Sequence, residues 1–493
     1  MSISRATAFV GFALCLLLSS PSWASLNCDL GCYPICGCNP DACFQDSPCV
    51  AQYHLPGIKK CNLITGAYGA CTADPGYDAT YNRRTYPLPT LSLPIDRALG
   101  VGVPNQCDPD VSCHGMMYSN LAFALHAGWT RIDLVDRLEV YKYQQYFDQA
   151  RGNGTRVIGI LNCTKNNDYG CPYTQGQRDA WVHWAIGMMQ AFKGRGVLWE
   201  VMNEPNGGNS DFFNGVDPTD SATKYTLLAQ AFATAVNNPA NGVYEEYVVG
   251  PALAHTNSDS QSWLSDIFLL GGTSRFDAVT VHPYDKNHRK ETAEEEADEL
   301  DDVLSINNNH GVPTYISEWG FKNQETTFQY AEPAREWLFS VSKGIPLVNW
   351  YSWTDDCFAD KVTGVKQQFG LLTCDGQTKP AYWALKFVRD RIGGSRYVRV
   401  IASGAGLYGY QLALPNGKRQ YVMYSDGFFS SANMSVPGSF VIDRIRWPGG
   451  DGSAPVSYVV SSEPAVTHQY IDIPQGGSSS IPLNHMPVVI TEL

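Results

Sequence analysis

Between residues 94 and 394 the chain alternates two kinds of pattern. Short apolar runs that read as strands fall at 98–103, 130–135, 156–161, 198–203, 247–251, 278–281, 314–317 and 347–351. Between several of them lie amphipathic stretches with helical spacing, for example 223–236, 292–304 and 333–342. Eight strands with crossover helices over about 300 residues predict an α/β fold, a (β/α)8 TIM barrel with parallel strands. A doubly wound open sheet would usually have fewer strands and a glycine-rich phosphate turn after the first, and no such turn is present. Catalytic groups in a barrel sit at the C-terminal ends of its strands, so those ends carry the functional reading.

The flanks have a different character. Past Gly393-Gly394, strand-like segments at 397–401, 411–414, 420–424, 457–460 and 470–473 are separated by Pro-Asn-Gly, Pro-Gly-Gly and Gly-Gly-Ser turns. Residues 395–493 therefore predict an antiparallel β-sandwich domain, either a buttress for the barrel, the favoured reading, or a carbohydrate-binding module. Ahead of the barrel, 76–93 is rich in Tyr, Pro and Thr and reads as a linker or a strap across a surface. The acidic run from Thr292, TAEEEADELDD, is expected to be the solvated face of a barrel helix rather than a metal site.

The N-terminal 1–24 reads as a signal peptide. Arg5 supplies the positive start, an apolar run follows from Ala8 to Leu18, and Ser22-Trp23-Ala24 offers small residues where a signal peptidase reads. The run is too short to span a bilayer and no later segment reads as a membrane span. A secreted protein is expected, periplasmic or surface-bound if the host is bacterial. Of the 15 Cys, Cys15 lies in that leader, and eight crowd into 25–75 between Cys28 and Cys71, predicting a disulfide-bonded segment. The remaining six are near neighbours in sequence and predict the bridges Cys107–Cys113, Cys163–Cys171 and Cys357–Cys374. The close spacing of Cys32, Cys36 and Cys38 leaves a zinc site as the rival, without the paired CxxC or HxxxH units that would support it.

The 493 residues hold 35 Lys+Arg against 48 Asp+Glu, a net charge of −13. That balance opposes nucleic acid or anionic lipid as a partner, since both need a basic footprint. Aromatics reach 12%, including 12 Trp, which suits the stacking of sugar rings. No His/Cys/Asp spacing suggests a catalytic metal, and neither a GxSxG elbow nor a P-loop is present.

Two carboxylates stand out. Glu204 closes the fourth strand in WEVMNEPN, and Glu318 closes the seventh in YISEWGF. On a barrel both point into one mouth. Here the sequence resembles the clan A glycoside hydrolases, retaining β-glycosidases with their acid/base and nucleophile on strands four and seven. The likeness covers about 94–394, and the trailing β domain is also similar to family 39 members. The resemblance implies that Glu204 is the general acid/base and Glu318 the nucleophile. Such a pair works because one carboxyl is protonated to release the leaving sugar while the other is ionised to attack the anomeric carbon.

The resemblance also implies supporting roles. Asn203 would donate to the sugar 2-hydroxyl, His282 and Tyr284 in TVHPYD would match the clan's His and Tyr at strand six, and the Tyr284 hydroxyl would hold the nucleophile. Arg131, in WTRIDLVD on strand two, would keep the nucleophile ionised. Trp350 and Trp353 in NWYSW are candidates for the sugar platform, Trp350 being preferred. In one respect the chain departs from family 5, whose members often carry a His at the end of strand three. Here that strand ends Leu161-Asn162-Cys163, which favours family 39 or an outlying branch.

The expected activity is hydrolysis of O-glycosidic bonds in a β-linked polysaccharide or oligosaccharide, with no cofactor. A transglycosylase would use the same residues, and a carbohydrate-binding wall protein on an inactive barrel is the reading from another class. Asn153, Asn162 and Asn433 begin Asn-x-Ser/Thr triplets, and a glycan on Asn162 would crowd the barrel mouth. Sugar, linkage, internal or terminal cleavage, and oligomeric state are not legible in the sequence.

Overall fold

The computed structural model describes residues 86–102, 125–134, 140–163, 171–207, 220–284, 293–321, 330–356, 368–404, 406–426, 430–447 and 463–493, with short backbone strands between 47 and 73. The signal peptide, the Cys107–Cys113 pair, Cys357 and most of the loops 206–220 and 355–368 lie outside the described residues.

Eight parallel strands form the barrel. They are β1 (Leu99–Gly102), β2 (Trp129–Leu134), β3 (Arg156–Leu161), β4 (Leu198–Val201), β5 (Tyr247–Val249), β6 (Val279–His282), β7 (Thr314–Trp319) and β8 (Val348–Trp350). Parallel pairing runs unbroken from β5 through β4, β3, β2 and β1 to β8, β7 and β6. A bridge from Val249 to Ala278, with Asp277 N–H donating to Val248 O at 2.7 Å, closes the ring. The strands read as apolar runs because parallel strands are covered on both faces. Alternation still sorts the side chains. Trp129, Ile158, Leu198, Tyr247, Ala278, Tyr315 and Leu347 fill the lower interior, while Ile132, Leu134, Trp199 and Val201 face the helices.

The described helices are α1 (Val140–Gly152), α2 (Gln175–Phe192), α3 (Ser221–Asn237), α4 (Ser258–Leu269), α5 (Ala297–Asn309), α6 (Glu332–Ser342) and α7 (Pro380–Ile392). Local chemistry sets their starts. Thr174 and Gln177 form a reciprocal capping box on α2, and the Asn257 side chain accepts from Ser260 N–H at 3.1 Å on α4. On β1, glycine is required by β8: a Cβ at Gly102 would lie 2.8 Å from Asn349 Nδ2.

The segment read as linker or strap crosses the lower end of the barrel. Leu88 packs on the interior cluster, Pro89 O accepts from the Tyr315 hydroxyl at 3.2 Å, and Pro87 O accepts from Arg156 at 2.7 Å.

The C-terminal domain is an antiparallel sandwich. Its large sheet orders β9 (Arg396–Gly404), β10 (Leu407–Ala413), β11 (Arg419–Ser425), β16 (Val488–Glu492), β13 (Gly438–Arg446) and β14 (Ala465–Ile473). A two-stranded sheet, β12 (Ser430–Met434) with β15 (Ser479–Leu483), lies over it. Period-2 alternation gives the large sheet two buried faces. Tyr421, Met423, Phe440 and Ile490 meet Ala432, Met434 and Ile481 of the small sheet. Val422, Tyr424, Tyr410 and Val489 are continuous with the barrel's own core. A shared apolar core is the packing of a buttress.

The acidic run from Thr292 is not simply a solvated face. Glu296 is buried, and Glu294 accepts from the Tyr424 hydroxyl at 2.7 Å and pairs with Arg335 at 3.0 Å. Its front end is instead part of the seam between barrel and sandwich. Among the described residues no helix is long and apolar enough to cross a membrane.

Candidate active site

On β2, Trp129, Arg131 and Asp133 share the inward face, so Arg131 stands one layer below the mouth. It is 3% exposed, and each of its three guanidinium nitrogens donates a hydrogen bond. Nε donates to Glu200 Oε2 at 2.7 Å, Nη1 to Glu318 Oε2 at 2.5 Å and Nη2 to Asn203 Oδ1 at 2.6 Å. One cation thereby joins strands two, four and seven. Neighbouring Glu200 and Glu318 raise its pKa further above its ordinary value, against the effect of burial.

Beyond β4 the backbone leaves ordinary strand geometry. Met202 and Glu204 take φ of 67° and 48°, in the left-handed region that non-glycine residues rarely occupy. The conformation is held by Glu204 N–H donating to Ala252 O at 3.1 Å and by Gly207 N–H donating to Glu204 O at 2.8 Å. Strain held this way aims the Glu204 side chain, 30% exposed, into the mouth.

His282, buried at the end of β6, lies with Nδ1 2.8 Å from Glu204 Oε1 and Nε2 3.1 Å from Ser317 Oγ. Burial pushes the Glu204 carboxyl up, but the His282 hydrogen bond, then the charges of His282, His255 and Arg131, pull it below its ordinary value. Glu318 is held by two donors, Arg131 on one oxygen and the Tyr284 hydroxyl at 3.1 Å on the other. Burial and the Glu318 charge push the Tyr284 phenol well above its ordinary pKa, so it stays a donor. Asn203 spends its carbonyl oxygen on Arg131, and its amide nitrogen has no partner among the described residues.

One ligand atom each from Glu204, His282 and Glu318 lie within 4.8 Å of one another, a spacing that would also fit a cation. The Arg131 guanidinium already neutralises Glu318, which disfavours a metal there.

Six of the eight residues singled out from the sequence, Arg131, Asn203, Glu204, His282, Tyr284 and Glu318, come together around this mouth, whereas Trp350 is buried in the core beside it. Trp350 donates Nε1–H to Phe369 O at 3.1 Å, with its ring beside Phe321. Trp353 goes elsewhere, its ring edge-on to Tyr382 of α7 in the barrel–helix layer. Cys163 and Cys171 are bonded, with Cα atoms 5.3 Å apart, and Cys374 is disulfide-bonded. Asn153 and Asn433 are exposed, whereas Asn162 is engaged, its Nδ2 donating to Asp133 Oδ1 at 3.2 Å.

Sequence reasoning missed Glu200, Ser317, Asp133 and His255. Ser317 and Asp133 carried a signal, one beside Glu318 and the other two positions from Arg131, and Glu200 lies inside the WEVMNEPN motif itself. His255, at φ 60° with Nδ1 donating to Tyr284 O at 2.7 Å, carried none.

Residues 125–356 match the family model described as Cellulase (glycosyl hydrolase family 5). No curated protein matches the chain. Among solved structures it is similar to a family 39 glycoside hydrolase from the gut symbiont Bacteroides cellulosilyticus WH2, with a TM-score of 0.60 at 15% identity over 89% of this chain and 87% of that one. An α-L-arabinofuranosidase from Thermotoga maritima has a TM-score of 0.55 at 10% identity, covering 82% of this chain and 98% of that one. The catalytic domain of GH30 xylanase C from Talaromyces cellulolyticus has a TM-score of 0.52 at 11% identity, covering 80% and 96%. The barrel is thus a glycoside hydrolase domain of the clan A type, and the protein is a glycosidase acting on carbohydrate. The family 5 match spans β2 to β8 even though no His ends β3.

Proposed function

We propose that the protein is a secreted retaining glycosidase that cleaves β-linked polysaccharide or oligosaccharide by double displacement, with Glu318 as nucleophile and Glu204 as general acid/base. The observation that carries this reading is that one oxygen of Glu204 and one oxygen of Glu318 lie within 4.8 Å of each other. Retaining pairs stand roughly 5–5.5 Å apart, whereas inverting pairs leave about 6.5–9.5 Å for a water between them.

The surroundings divide the labour. Arg131 and Tyr284 both donate to Glu318, so its charge is stabilised and one lone pair is left for the anomeric carbon. Glu204 faces the mouth and touches His282, so the proton it delivers is held by the pair of groups together. In the first step Glu318 forms a bond to the anomeric carbon while the leaving oxygen takes that proton. In the second, Glu204 takes a proton from water, which attacks the same carbon and releases Glu318. Asn203 has an amide nitrogen without a partner among the described residues, and it is assigned to the hydroxyl next to the anomeric centre. The leader-like start and the cysteine pattern support secretion.

Proton NMR of the first product formed from a β-linked glycan tests the reading. Retention of the anomeric configuration is expected, and an initially inverted anomer overturns it.

A further inference from the structure

One carboxylate in the mouth has no part in the chemistry above. Asp133 stands two residues beyond Arg131 on the inward face of β2, one layer closer to the opening. Arg131 lies next to it, yet all three arms of that guanidinium go to Glu200, Glu318 and Asn203. Asp133 is therefore a carboxylate without a cation of its own. It receives one hydrogen bond, from Asn162 Nδ2 at 3.2 Å, and its other oxygen has no partner among the described residues.

Asn162 is fixed to supply that bond. Its Oδ1 accepts from Cys163 N–H at 3.0 Å, its backbone carbonyl accepts from Trp181 Nε1 at 3.2 Å, and the next residue is tied by the Cys163–Cys171 disulfide. A half-buried carboxylate held open in this way costs free energy unless donors arrive to satisfy it. The donors available in the mouth of a glycosidase are sugar hydroxyls.

We infer that Asp133, positioned by Asn162, is a specificity residue that accepts hydroxyl hydrogen bonds from the glycone and selects an uncharged sugar over a uronic acid. The inference rests on the proposed roles of Glu204 and Glu318. Asp133 neighbours Glu318, the group assigned to the anomeric carbon, so the hydroxyls that reach it belong to the ring being transferred rather than to the leaving group. A sugar carboxylate there would meet Asp133, Glu318 and Glu200, while Arg131 is already paired with two of them.

The groups facing Asp133 also give it a pH signature. Burial raises its carboxyl to about 6, while Arg131 and the Asn162 hydrogen bond lower it and Glu318 and Glu200 raise it. The acceptor is the ionised form, so recognition weakens as pH falls through about 6.

The test compares the full-length enzyme with its Asp133→Asn variant on 2,4-dinitrophenyl β-glycosides of gluco, galacto, manno, xylo and glucurono configuration. Monodeoxy versions of the best neutral glycone complete the set. Asp133→Asn is expected to lose on the order of 10- to 100-fold in kcat/KM on the best neutral glycone, the cost of one charge-assisted hydrogen bond. It is expected to lose nothing on the glucuronide, and under threefold on the deoxy sugar that lacks the contacted hydroxyl, as a broken pairwise contact requires (about threefold). The acid limb near pH 6 should vanish with it. An equal loss on the parent and on every deoxy sugar, or no loss at all, overturns the inference. Asn162→Ser, which keeps the carboxylate but frees it, repeats the comparison with a smaller loss should Asp133→Asn fail to fold. Cleavage of a β-linked glycan by the wild type with an initially inverted anomer would instead overturn the roles of Glu204 and Glu318.

Discussion

His282 Nδ1 and Glu204 Oε1 are 2.8 Å apart, and through this contact a fully buried imidazole draws the pKa of a carboxyl in the barrel mouth below its ordinary value. The other nitrogen of the ring meets the Ser317 hydroxyl, so its orientation is fixed from both sides. Burial alone would raise Glu204, and the imidazole reverses that sign.

Removal of the imidazole should therefore move the ionisation of Glu204 to higher pH. In His282→Asn, the carboxylate infrared band that disappears in Glu204→Gln is expected to titrate at higher pH than in the wild type. An unchanged or lower midpoint would show that His282 does not control this carboxyl. Activity on a natural glycan should also fall, by about 10²-fold or more, since general acid help is worth about that much.

The seam between barrel and sandwich turns on Arg335, which is 0% exposed and contacts Glu332 at 3.0 Å, Glu294 at 3.0 Å and Asp426 at 2.6 Å. Replacing it with Met keeps the stem and leaves those acids without their cation. The expected cost is about 3–5 kcal/mol, because breaking a buried pair strands the partner charge. A Tm within a degree or two of wild type would mean that the ion cluster does not hold the seam.

His485 lies at the same seam, 5% exposed. Burial, then the Arg335 charge, lower its pKa to about 4 from an ordinary 6.5, while Asp426 opposes them. The unfolded chain therefore takes up this proton before the folded one does. Stability contributed by the neutral ring is complete above pH 6.5 and is lost as pH falls from there towards about 4. His485→Gln should show a shallower fall of Tm across that window than wild type, and an identical slope would exclude His485 as its source.

The strands were legible because each is a short, mostly apolar run, a consequence of being covered on both faces, even though β2, β4 and β7 carry the polar residues of the site. Glu204 and Glu318 were legible because short motifs flank them. The seam was not, since what makes Glu294 an interior residue is Tyr424, 130 positions away in another domain. Trp353 misled for a local reason. β8 ends at Trp350, and three residues later the chain has turned, so the second ring of NWYSW meets α7 rather than the mouth. Asp133 lay in plain view beside Arg131. Period 2 placed it on the inward face, but nothing in the sequence shows that the arginine's arms are already taken.

The two glutamates should fail in different ways. Glu318→Ala removes the group that bonds to the anomeric carbon, so turnover should nearly vanish on every substrate, however good its leaving group. Glu204→Ala removes the proton donor, and that donor matters only when the departing oxygen is a poor leaving group. A dinitrophenolate departs without help, so the first step should survive on the activated aryl glycoside while natural glycans go uncleaved. The glycosyl-enzyme would then accumulate, because no base remains to activate water. Azide needs no base and fits the space left by the lost side chain, so it should restore turnover and give a glycosyl azide of retained configuration. Rescue of Glu318→Ala to a retained product, with Glu204→Ala inert on every glycoside, would reverse the two assignments.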